Sequence, residues 1–206
     1  MVSIPQIPMG DNIRRIHRIQ VITIAWMMVE AVVSLFAAWR AHSPALLAFG
    51  GDSAIELFSA IVVLWRFRAS AAPGLLERRA ARVSGALLFM LAAYVAAVSV
   101  MSLAGYSEPK PTLLGIAILV AAAVIMPWLA KEKRQLSAAT GSAALRADAA
   151  QSALCAYLSL IALAGLAISA TWHLKSADPI AALAVLPLTL WEGREALRGK
   201  ACSSCH

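Results

Sequence analysis

The chain has 206 residues, 61% of them hydrophobic and 14% charged, with a mean hydropathy of +0.75 and a net charge of +7. Soluble domains average about 45–50% apolar and about 25% charged residues, so a soluble globular domain is excluded and an all-α, multi-pass membrane protein is expected. Cys202 and Cys205, two of the three cysteines, fall in the last five residues, which argues against a disulfide framework. No cleavable signal is expected, because residues 1–10 lack a basic start and a short apolar stretch.

A spanning helix needs about 20 mostly apolar residues. Taken in chain order, such runs lie at roughly 18–40, 45–66, 83–105, 112–130, 143–170 and 177–196, so six transmembrane helices are predicted. The division is a cytoplasmic N-terminal segment over residues 1–17, a six-helix domain over 18–197 and a short Cys/His tail over 198–206. Predicted loops fall at 42–44, 70–82, 105–111, 131–142 and 175–178. Asp178-Pro179 reads as an N-cap followed by proline at the first helical position. Pro127 and Pro187 are expected to kink the fourth and sixth helices. Trp26, Trp65, Trp128, Trp172 and Trp191 are read as interface anchors.

Of the 18 lysines and arginines, all but Arg40, Lys110 and Lys175 fall on one side of this arrangement. Such bias places both termini in the cytoplasm. It also accounts for the basic charge as a topology signal, so no nucleic-acid partner is expected.

Several polar residues sit at lipid depth. The second helix contains "LLAFGGDSAIELFSAIVVLW", with Asp52 and Glu56 four apart on one face. A central acid costs roughly 2.5–3.5 kcal/mol on insertion scales, and two together repel unless one is protonated or a cation lies between them. Gly50 and Gly51 would let another helix come close. The fifth helix contains "ALRADAAQSALCAYLS", with Gln151 and Cys155 again four apart. Counted from opposite membrane faces at about 1.5 Å per residue, Asp52 and Glu56 lie roughly 12 and 18 Å deep, and Gln151 and Cys155 roughly 14 and 20 Å. Both pairs therefore fall near the midplane of a hydrocarbon core of about 30 Å. Two carboxylates, a thiolate and a carbonyl oxygen suit a borderline-soft divalent ion. The alternatives are a buried structural acid pair and a cysteine that simply packs. Glu30 is a candidate proton carrier, an access-path ligand or a structural group. Asp148 either feeds cations from the cytoplasm or is a first-turn acid paired with Arg146. Ser159 continues the Gln151–Cys155 face.

Residues 12–197 resemble the six-helix membrane domain of the cation diffusion facilitator family of metal/proton antiporters. The likeness rests on "SPALLAFGGDSAIELFSA", "ALRADAAQSALCAYLS" and "ADPIAALAVL". Members carry an acid-x-x-x-acid pair in the second helix and His-x-x-x-Asp in the fifth, which together form a tetrahedral transport site. Asp52 and Glu56 match the first pair. Gln151 stands at the histidine position and Cys155 at the aspartate position. The resemblance thus implies a metal site of Asp52, Glu56, Gln151 and Cys155. Family members usually continue into a cytoplasmic ferredoxin-like domain, whereas about ten residues follow the sixth helix here, so a homodimer held by membrane helices is expected.

The tail "CSSCH" offers Cys202, Cys205 and His206, a spacing that suits either metal capture or an inert reduced tail. Its match to a c-type haem attachment string is set aside for a tail expected in the cytoplasm. The reading is a non-enzymatic exporter of a divalent metal ion in a bacterial inner membrane, driven by proton antiport. Zinc or cadmium is the expected cargo, because a thiolate favours soft ions, and no permanently bound cofactor is expected. Two rivals are a non-transporting membrane metal sensor or scaffold and an exporter of small organic cations.

Overall fold

The structure, a computed structural model, describes residues 9–69, 75–140 and 143–198, with side chains over 14–58, 61, 82–139 and 148–198. Six helices fill the described residues: α1 (Met9–Ala41), α2 (Pro44–Ala69), α3 (Leu75–Leu103), α4 (Leu113–Thr140), α5 (Ala143–Trp172) and α6 (Ala177–Leu197). The six apolar runs are therefore six helices among the described residues. Three helices reach further than the runs. The loops expected over 70–82 and 131–142 are helical from Leu75 and up to Thr140, and α1 is already helical at Met9. The physical reason is that hydropathy reports where lipid ends, while Arg, Lys, Glu and Gln keep a helix going in water. Pro127 and Pro187 lie inside unbroken α4 and α6.

α1, α3, α4 and α5 are long and apolar enough to cross a membrane. Asp178, Glu192, Arg194 and Glu195 make α6 more polar. In α1 the residues Val21, Met28, Val29, Val32, Phe36 and Trp39 are exposed, while Ile19, Thr23, Met27, Glu30, Ser34 and Ala37 are buried. These two stripes follow the helical period, apolar toward lipid and mixed toward the bundle. Trp128, Trp172 and Trp191 are exposed, whereas Trp26 packs against the core in mid-helix.

α2 is the central element, packing on α1, α3, α5 and α6. Its Leu46 and Phe49 join Leu119, Met126, Leu129, Leu158, Leu166 and Val185 in the main core. The approach of α1 turns on Gly50, where an added Cβ would lie 2.8 Å from Ser34 Cβ and 3.0 Å from Leu35 N. Asp178 is not an N-cap. α6 begins at Ala177, after Ser176. Asp178, buried in the first turn, instead accepts the Ser43 hydroxyl at 2.8 Å. Ser43 Oγ in turn accepts the Leu46 N–H at 3.1 Å, so serine followed by Pro44 caps α2. A buried acid takes the neighbouring hydroxyl because an unpaired one is costly. This contact ties the start of α2 to the start of α6.

At that same end, Lys175 donates to Glu108 at 2.6 Å across the α3–α4 and α5–α6 turns. The ammonium holds this exposed carboxyl below its usual range.

Candidate metal centre

Because α2 and α6 start together, they run in the same direction. From Ser43 to Glu56 is about 20 Å of helix, and from Asp178 to Glu192 about 21 Å, at about 1.5 Å per residue. Equal rise brings the two glutamates to one level. One carboxylate oxygen each from Asp52, Glu56 and Glu192 all lie within 4.8 Å of one another. Asp52 is 1% exposed and Glu56 6%. Both oxygens of Asp52 and Oε1 of Glu56 are buried without a hydrogen-bond partner among the described residues. The α3–α6 crossing beside this cluster is unusually close, since a Cβ on Gly85 would lie 2.8 Å from Gly193 O. Glycines at the crossing let α6 bring Glu192 inward.

The two α5 residues go to different partners. Gln151 Nε2 donates to Glu192 Oε1 at 2.9 Å, so the amide orients the third acid. Cys155 Sγ donates to Glu30 Oε1 at 3.2 Å, and Ser53 Oγ donates to the same oxygen at 2.7 Å. Cys155 and Glu30 are both 0% exposed. Of the four ligands expected from sequence, Asp52 and Glu56 thus meet Glu192, Gln151 contacts that glutamate, and Cys155 forms a separate contact with α1. Ser159 is buried and donates to Ala156 O at 2.8 Å, a local bond within α5.

A third polar group lies where α1, α4 and α5 meet. Lys133 is fully buried, and its Nζ donates to Asp148 Oδ1 and Ser152 Oγ, each at 2.9 Å. Gln20 Nε2 donates to Asp148 Oδ2 at 2.6 Å. Asp148 is therefore held by Lys133 and Gln20, and it sits beyond the first turn of α5. The side chains of Arg146 and Trp65 lie outside the described ones, and the tail residues Cys202, Cys205 and His206 lie outside the described residues.

Glu192 was not singled out from sequence. Its signal is the stripe Asp178, Ala181, Ala182, Val185, Thr189 and Gly193, all buried at helical spacing. Glu192 sits beside that stripe, but Arg194 and Glu195 make it look like an acid at the headgroups.

Three carboxylates so close repel strongly. Two unit charges about 4 Å apart oppose each other by roughly 4 kcal/mol at an effective dielectric of about 20. A divalent cation relieves this repulsion, and so do protons. Acids converging inside a bundle with membrane-length helices define the class: a multi-pass membrane protein with a buried acidic cluster. The chain belongs to the cation efflux family, whose transmembrane domain matches residues 21–200. Metal-cation efflux is the activity of that family's membrane domain. No curated protein matches the chain.

Proposed function

We propose that the protein exports a divalent metal cation from the cytoplasm of a bacterial cell, exchanging it for protons at Asp52, Glu56 and Glu192. The observation that carries this reading is the convergence of Asp52, Glu56 and Glu192, in which both oxygens of Asp52 and Oε1 of Glu56 are buried and unpartnered among the described residues. An intramembrane acid without a partner is a functional site by default, given its insertion cost. Protons and cargo compete for the same oxygens, since carboxylates must be deprotonated to bind metal. That competition makes one cluster sufficient for exchange. The lysine and arginine bias supports cytoplasmic termini.

The test is metal uptake into proteoliposomes under a pH gradient. Asp52→Ala and Glu56→Ala, purified as folded protein, are expected to lose flux by at least about a hundredfold. Wild-type flux in either variant refutes the site. Metal binding with no flux in the wild-type protein would identify a sensor or scaffold instead.

A further inference from the structure

We infer that the cargo is an oxygen-preferring divalent cation of the manganese or magnesium type, bound by Asp52, Glu56 and Glu192 with no sulfur ligand. This rests on the efflux reading and gives it a substrate class.

Three observations carry it. First, the group whose ligand atoms all lie within 4.8 Å of one another contains only carboxylate oxygens. Oxygen donors suit hard cations, while thiolates select soft ones. Second, the sulfur expected to favour zinc or cadmium is committed elsewhere. Cys155 donates to Glu30 Oε1, an oxygen that also accepts from Ser53. A thiol donating its hydrogen is not a thiolate ligand, so Cys155 must abandon this contact before it can bind metal. Third, Gln151, at the position where a nitrogen ligand is usual in the family, donates through its amide nitrogen to Glu192. Its visible role is to position the third carboxylate. The cluster therefore takes its third oxygen donor from α6, while Gln151 and Cys155 on α5 contact Glu192 and Glu30. Asp52, 1% exposed and with both oxygens unpartnered among the described residues, is aimed into the cluster. Such ions accept more than four ligands and keep bound water, so three carboxylates need no fourth side chain.

The experiment uses the full chain. Manganese binding is read by loss of the free-ion electron paramagnetic resonance signal for wild type, Glu192→Gln and Cys155→Ala in detergent. Manganese and cadmium flux are then read in competition in proteoliposomes. Glu192→Gln, nearly isosteric, is expected to weaken manganese binding at least about tenfold. Cys155→Ala is expected to leave the manganese-to-cadmium flux ratio within about twofold. Unchanged manganese binding in Glu192→Gln overturns the proposal, and so does a tenfold loss of cadmium preference in Cys155→Ala. Absent flux in the wild type would refute efflux alone, because the binding arm still decides the ligand set.

Discussion

At the scale of single residues, the burial of Lys133 sets a sharp expectation. Its ammonium is out of solvent and satisfied by Asp148 Oδ1 and Ser152 Oγ. Removing one partner from a buried pair strands the other charge, at a cost of roughly 3–5 kcal/mol. Asp148 is a third exposed, which lets water screen part of that loss. Asp148→Ala should therefore lower the melting temperature clearly. Replacing both partners, as in Lys133→Met with Asp148→Leu, should recover much of it, because no charge is left without a partner. Thermal unfolding of the two single variants and the double variant gives a cycle in which the coupling is read directly. A double variant as unstable as the sum of the singles would show the pair to be uncoupled. Lys133 lies on α4 beside the α5 segment that leads to Gln151, so this pair also fixes how deep α5 sits.

At the scale of helices, the cluster of Asp52, Glu56 and Glu192 depends on how α6 is seated. Its level is fixed at one end by Ser43 and Asp178, and its closeness by the Gly85–Gly193 crossing. Gly193→Leu would drive a side chain into the Gly85 carbonyl, which lies 3.3 Å from an added Cβ, and into Leu88 and Phe89. The expected result is displacement of the neighbouring Glu192 and loss of metal flux by at least about tenfold. The protein should still elute as a folded species, since the lipid-facing surfaces are unchanged. Normal flux and metal affinity in Gly193→Leu would show that α6 does not need this crossing.

The same scale shows what sequence could convey. The six apolar runs marked six helices because a bilayer demands long apolar segments, and the Asp52–Glu56 face was plain from a spacing of four. Helix ends were legible only as far as the lipid extends. The partner of Cys155 was hidden, because spacing within α5 says nothing of how α1 is rotated toward it. Matched depth put Gln151 and Cys155 level with the acids, yet depth cannot choose among neighbours on that level. Glu192 was hidden by its charged neighbours, although the rise from Asp178 to it nearly matches that from Ser43 to Glu56.

At the scale of the whole molecule, the proposed exchange of metal for protons demands that the two exclude each other at one cluster. Three carboxylates within 4.8 Å of one another leave little room for both: a bound cation favours their ionised forms, and protons remove the charge that holds the cation. Binding must then release protons, and lowering the pH must weaken binding. The half-saturating metal concentration should rise as the pH of the loading side falls from about 8 to about 6. With Glu192→Gln, fewer protons should leave per metal bound, because one titrating oxygen pair has become an amide. A lightly buffered solution with a pH indicator measures this release, and calorimetry in buffers of different ionisation enthalpy checks it. The direction of flux follows from the same competition. With higher pH on the side from which metal loads, protons enter from the opposite side and displace the cargo there. Reversing the gradient should reverse net flux in liposomes whose protein orientation is uniform. Flux that ignores the sign of the gradient would separate metal movement from proton movement and assign the three acids to cargo binding alone.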